Sequence, residues 1–190
     1  MTTTALFAML ALLLAPGPTN ALMGLAGAER SPRHSALLIA TALAGYLITV
    51  MPLALLGAGL FALWPRAAIA LKLLAAGWTL FLAWKLWRAS GRADARSGVT
   101  VFQTWITTLL NPKALIFGLV LLPSADVHAT WRNLVIFGIA AILATTLWSI
   151  AGSLTQIGAG GRQRFHTVQR ITAVGLSAVS CLLVGQALSA

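Results

Sequence analysis

The groups best equipped for chemistry in this 190-residue chain gather where an apolar run is broken, in the stretch from Thr107 to Gly118. Asn111 is a good helix N-cap, Pro112 suits the first helical position, and Lys113 falls in the first turn after the restart. The amides and positive dipole end of such a half-helix favour an anion, and Lys113 adds a full charge beside them. About nine residues separate Lys113 from the end of the run, roughly 13 Å at helical rise. Its side chain cannot comfortably span that distance, whereas Lys72 and Lys85 lie near helix ends and can snorkel to an interface. Two roles fit Lys113: holding an anionic substrate group, or capping carbonyls freed at another break. One lysine can serve both.

A second break, Pro16-Gly17-Pro18-Thr19-Asn20, interrupts the first apolar run. Two prolines remove two amide donors and their rings clash with preceding carbonyls, while Gly17 relaxes the backbone between them. The helix must stop and restart, with Gly17 as N-cap and Pro18 as the first residue of the second piece. Upstream of Lys113, the residues Gln103, Thr107 and Asn111 recur every four positions with Thr104 and Thr108 beside them, which makes one polar helix stripe. Thr145, Ser149 and Ser153 repeat the pattern later in the chain, and Tyr46 stands between Thr41 and Thr49. Hydroxyls in membrane helices bond their own backbone or a neighbouring helix more often than a substrate. The substrate-binding set expected from the two breaks, the stripe leading to the second and Tyr46 of the second run is Pro16, Gly17, Pro18, Thr19, Asn20, Tyr46, Thr107, Asn111, Pro112 and Lys113.

The acidic inventory narrows the chemistry further. Glu29, Asp94 and Asp126 are the only carboxylates, and they and the three histidines, His34, His128 and His166, fall at helix ends or in loops. No ligand set converges inside the apolar segments, so no metal site or cofactor is expected. Nor is there a nucleophile, base and orienter set for an enzyme. The single cysteine, Cys181, excludes an internal disulfide and a CxxC site. A lysine without an acidic partner suits a substrate that carries its own carboxylate.

The elements that must position these groups follow from composition. Hydrophobic residues make up 59% of the chain and charged residues 8%, with a mean hydropathy of +0.90. A soluble domain carries roughly 25% charged residues, so the class is an all-α polytopic membrane protein. Six segments approach the length of about 20 residues needed to cross a bilayer: about 4 to 28, 36 to 62, 67 to 88, 99 to 122, 131 to 156 and 169 to 189. The basic residues behind the net charge of +10 cluster between these runs, a pattern of loops on an anionic leaflet rather than of nucleic-acid binding. Nine Lys and Arg residues in the first, third and fifth connections against three near the second and fourth place the odd loops in the cytoplasm and both termini outside.

The polar segment Ser90 to Gly98 divides the chain into halves at 1-92 and 93-190. A shift of 94 positions lays Pro18, Gly24 and Leu25 on Pro112, Gly118 and Leu119. With three spans each, the halves must be inverted relative to one another. Breaks at corresponding places in two inverted repeats, here in helices 1 and 4, point to a transporter's midplane site. Trp64, Trp84, Trp87 and Trp131 fit an interfacial aromatic belt, and the deeper Trp78, Trp105 and Trp148 fit packing or a cavity wall, packing being the better match. Gly24, Gly45, Gly57, Gly118, Gly138 and Gly152 are expected at close helix contacts.

Three stretches, Pro16-Gly17-Pro18 with Asn20, Leu71 to Gly77 leading to Trp84-Lys85-Leu86-Trp87-Arg88, and Leu110-Asn111-Pro112-Lys113-Ala114, resemble in order and spacing the LysE/RhtB family of amino-acid exporters. The resemblance covers nearly the whole chain. It implies a multi-pass protein of the bacterial inner membrane that exports amino acids or related small metabolites, coupled to the proton gradient. Two positions depart from the family: many members have asparagine directly after the Pro-Gly-Pro, where this chain has Thr19 and then Asn20, and many carry an acid in helix two near Tyr46. The expected partners are a small-molecule substrate, the lipid bilayer and a possible homodimer copy, with no nucleic acid. The alternatives are a channel or exporter of neutral or cationic solutes, and a membrane interaction protein without transport activity.

Overall fold

The computed structural model describes residues 2–28, 31–63, 65–89 and 98–154, together with 167, 170, 171, 173–178, 180, 181, 184 and 185, which are helical. Most of the Ser90 to Gly98 linker lies outside the described residues, as do Glu29, Arg30, Trp64, Asp94, Arg162, Arg164, His166 and the side chains of Lys72 and Lys85.

Among the described residues before 155 there are seven α-helices: α1 Thr3–Leu14, α2 Pro18–Ala28, α3 Pro32–Leu63, α4 Pro65–Ala89, α5 Val101–Leu109, α6 Pro112–Ile116 and α7 Val127–Leu154. There is no strand among the described residues. By length and composition α3, over Pro32–Leu56, and α7 can each cross a membrane. The two bent pairs qualify as well if each is one span: Thr3–Leu14 with Pro18–Ala28, bent by 52°, and Val101–Leu109 with Pro112–Leu121, bent by 41°.

Local chemistry sets the helix ends. Thr2 caps α1 by accepting from the Ala5 amide at 3.2 Å, and Thr100 caps α5 by accepting from the Gln103 amide at 3.1 Å. Asp126 caps α7, its two carboxylate oxygens accepting from His128 and Ala129 amides at 3.0 and 3.2 Å. That carboxylate is thus engaged at a helix start, where negative charge is favoured.

The restart after Pro112 is shorter than the pattern implies. Only five residues form α6; Phe117–Leu121 continue as a π-helical turn closed by the Leu122 amide on the Phe117 carbonyl at 3.0 Å. Such turns occur mostly as single inserts, frequently at functional sites. Here the turn coincides with a tight approach to α3. A Cβ on Gly118 would stand 2.5 Å from Leu53 Cβ and 3.1 Å from the Val50 carbonyl oxygen, so only glycine fits.

Among the described residues, two buried clusters hold the helices together. One surrounds Tyr46, Phe117 and Phe137, whose ring centroids lie 4.9 to 6.4 Å apart, and includes Met9, Leu13, Val50 and Leu122. Edge-on and tilted pairs at this spacing are favourable for aromatic quadrupoles. The other joins Leu22 and Met23 of α2 to Leu38, Leu82 and Val99, and brings in Ala173 and Leu176 from the last helical residues. The two clusters are bridged by backbone contact between α2 and α7. A Cβ on Gly27 would overlap the Ser149 carbonyl oxygen, and one on Gly152 would overlap that of Gly24. In a bilayer, where apolar burial offers little drive between helices, this approach supplies the packing.

Candidate functional site

The bends of the two broken helices meet. At the first, α1 ends with the Ala15 amide donating to the Ala11 carbonyl at 2.8 Å, and Pro16 can donate nothing further. The last carbonyls of α1 then need other partners, because an acceptor left unpaired in an apolar membrane segment costs free energy. Three side chains provide them. Asn20 Nδ2 donates to Leu13 O at 2.7 Å and to Ala15 O at 2.8 Å. Trp148 Nε1 donates to Leu14 O at 3.2 Å from α7. Lys113 Nζ, from the other broken helix, donates to Ala15 O at 2.5 Å.

The ammonium is buried, with 9% of Lys113 exposed, and this carbonyl is its one hydrogen-bond partner among the described residues. No carboxylate pairs with it there. The charge is therefore compensated by a carbonyl dipole and retains N–H capacity for another acceptor. Its chain lies directly over Gly17, where a Cβ would stand 2.8 Å from Lys113 Cε and 2.9 Å from Nζ.

At the second break Asn111 organises the network. Its Oδ1 accepts from the Lys113 amide at 3.0 Å and its backbone carbonyl accepts from the Ala114 amide at 2.9 Å, so Asn111 is the N-cap that Pro112 requires. Those two amides are consequently taken up by Asn111 itself, which corrects the expectation that they face an anion. With Oδ1 fixed on a backbone donor, the amide nitrogen must face the other way. It donates to Thr19 Oγ1 and to the Tyr46 hydroxyl, both at 2.9 Å. Thr108 donates to the Thr104 carbonyl at 2.8 Å, so the proton in its 3.3 Å contact with Thr19 comes from Thr19. The result is a directed chain from Asn111 through Thr19 and Thr108 to the α5 backbone. Asn111, Thr19, Thr108 and Tyr46 are each at most 2% exposed, so water does not compete for these bonds.

The structure thus brings Gly17, Thr19, Asn20, Tyr46, Asn111 and Lys113 into one connected group. Pro18 and Pro112 start the restarted helices, and Pro16 ends the first piece on its exposed side. Thr107 faces α4, where its Oγ1 accepts from Trp78 Nε1 at 3.0 Å. Asn20 uses its amide hydrogens on backbone carbonyls, a different use from the expected contact with a substrate's polar groups. In the Thr145 and Ser153 stripe, the hydroxyls return to their own helix, Thr145 to Ala141 O at 2.7 Å and Ser153 to Ile150 O at 2.7 Å.

Sequence reasoning treated Trp148 and Trp78 as packing and overlooked Gly27. The indole N–H was the available signal, since a tryptophan with its ring against an apolar surface normally finds an acceptor for it. For Gly27 the signal was the small-residue spacing with Gly24.

A groove of about 830 Å³ opens between α2, α3 and α7. Gly27 lines it together with the hydroxyl-bearing residues Ser31, Ser35, Thr146, Ser149 and Ser153, and Leu43 is the last α3 residue along it. Tyr46 lies about one turn beyond Leu43 on the same helix. The groove lining does not include Lys113 or Asn111, so the charged group sits outside its wall.

In a comparison against known families, the model of the LysE type translocator matches residues 10–189. No curated protein and no solved structure matches the chain. With the match running through both breaks and reaching every helix described above, the chain belongs to the LysE type translocator family.

Proposed function

We propose that this protein is a secondary exporter of amino acids or related small carboxylate-bearing metabolites in the bacterial inner membrane, and that Lys113 holds the substrate carboxylate. The observation that carries the reading is the buried Lys113 ammonium, bonded to one carbonyl and to no acid among the described residues. A carboxylate arriving beside it gains a charge-assisted hydrogen bond in a site of low dielectric. Tyr46, Asn111 and Thr19 form the polar wall next to it.

In this reading six spans form two inverted halves, with the odd loops in the cytoplasm and both termini in the periplasm. The packing supports the division: α2, restarted in the first half, lies on α7 of the second through Gly24 and Gly152, while the restart after Pro112 lies on α3 of the first through Gly118. Rocking of one half against the other then alternates access. The groove that ends at Leu43 is the cytoplasmic approach, and the Tyr46, Phe117 and Phe137 cluster closes the opposite side. Export is coupled to the proton gradient.

The test is counterflow of radiolabelled amino acids in proteoliposomes, with and without an imposed pH gradient. Transport by the wild-type chain and its loss in Lys113→Met, with the variant still inserted and folded, is the expected result. Retention of full transport by Lys113→Met removes the assigned role.

The bond from Lys113 to Ala15 O favours a second reading, a channel or exporter of neutral or cationic solutes in which Lys113 only closes the break. Lys113→Gln separates the two. Glutamine keeps a donor for the carbonyl, so a capping lysine tolerates the change and an anion-binding lysine does not.

A further inference from the structure

We infer that Asn20 is a positioning residue for Lys113: by sharing the half-buried Ala15 carbonyl, it lets the ammonium shift from that carbonyl toward an anionic group without orphaning an acceptor inside an apolar segment. The inference rests on the proposed contact between Lys113 and a substrate carboxylate.

Three of the carbonyls freed at the Pro16 break, those of Leu13, Leu14 and Ala15, are capped by side chains, and their caps are distributed unequally. Leu14 O has Trp148 and Leu13 O has Asn20, whereas Ala15 O has both Asn20 Nδ2, at 2.8 Å, and Lys113 Nζ, at 2.5 Å. A carbonyl oxygen has two lone pairs and needs one donor to avoid the penalty of a buried unsatisfied group. The second donor on Ala15 O is therefore dispensable for the backbone, and the dispensable one is whichever can move.

Asn20 cannot move cheaply. Its amide nitrogen is held by two carbonyls at once, only 3% of the residue is exposed, and it sits in the first turn of α2. Lys113 has a flexible stem and lies over Gly17, which presents no Cβ in its path. If Lys113 alone capped Ala15 O, every departure toward a ligand would strip an acceptor that the apolar surroundings of the break cannot re-bond, and anion binding would be weakened by that cost. With Asn20 in place the break stays closed in both positions of the lysine.

A double-mutant cycle on thermal unfolding of the full chain in detergent tests this without a known substrate. Asn20→Ala and Lys113→Met are combined, because either residue alone keeps Ala15 O bonded and only the pair leaves it bare. The double variant should lose more unfolding temperature than the two single losses summed. Trp148→Phe removes the cap on Leu14 O, which Lys113 does not share, and should combine with Lys113→Met additively. Additivity in the Asn20 cycle overturns the inference. If Asn20→Ala does not reach the membrane, Asn20→Ser, whose hydroxyl is too short to hold both carbonyls, takes its place in the same cycle.

Counterflow with a radiolabelled mixture of the twenty L-amino acids supplies the second arm. Asn20→Ala should raise the half-saturating concentration about tenfold, the effect of tying Lys113 to its last carbonyl. An unchanged half-saturating concentration overturns the inference while Lys113→Met still abolishes transport. Retention of transport by Lys113→Met instead overturns the anion-binding reading on which it rests, and the unfolding cycle tells the two failures apart.

Discussion

Lys113 lies across Gly17, with Cε and Nζ within 2.9 Å of where a Cβ would be, so one residue of each broken helix shapes the other. The obstructed atoms are the far end of a flexible side chain, which can give way. Gly17→Ala should therefore cost little stability, under about 1 kcal/mol, while displacing the ammonium from Ala15 O. Thermal unfolding read beside proteoliposome transport checks this: near-normal stability with strongly reduced transport is expected.

The contact between α2 and α7 has no such slack. Cβ atoms on Gly27 or Gly152 would overlap backbone oxygens of Ser149 and Gly24, so the helices themselves must separate. Gly27→Ala and Gly152→Ala should each destabilise by about 3 kcal/mol or more, at the upper end of overpacking costs. Gly77, where an added methyl would meet nothing within 4 Å, is the control. Gly77→Ala should be neutral or stabilise slightly through helix propensity. Unfolding temperatures of the three variants in one detergent rank them.

Tyr46 is bound at both ends of its side chain, by Asn111 at the hydroxyl and by Phe117 and Phe137 at the ring. Tyr46→Phe keeps the ring contacts and removes the acceptor, leaving a buried Asn111 N–H unpaired. A loss of about 1–3 kcal/mol is expected. Asn111→Ala removes the helix cap and both side-chain donations together and should cost more, which chemical or thermal unfolding of the pair of variants will show.

Thr104 is fully buried and its hydroxyl has no partner among the described residues. Replacing an unsatisfied polar group by an apolar one of the same shape removes a penalty. Thr104→Val should leave stability unchanged or raise it by up to about 1 kcal/mol, while Thr108→Val, which cuts the chain between Thr19 and the Thr104 carbonyl, should lower it. Unfolding of both variants distinguishes the two positions of the stripe.

The residues of the chain by themselves determined the class, the breaks and the identity of the unusual cation. Those features depend on quantities that act locally or along one helix: the cost of charge in hydrocarbon, the missing amide of proline, and the length of an apolar run. Hence Pro16, Pro18, Asn111, Pro112 and Lys113 were legible, and Pro18 and Pro112 do begin the restarted pieces. What only the tertiary structure decided is the pairing. Lys113 meets Ala15 across 98 positions and Asn111 meets Thr19 across 92, distances over which no periodicity in the sequence specifies a partner. The π-helical turn after α6 was equally hidden, because it coincides with the approach of Gly118 to α3 rather than following from a local preference. Asn20 and Trp148 changed meaning for the same reason. An amide or an indole in a membrane helix must find an acceptor, but which one depends on where the broken helix leaves its carbonyls, and that is set by the packing of α1, α2 and α7 around the break.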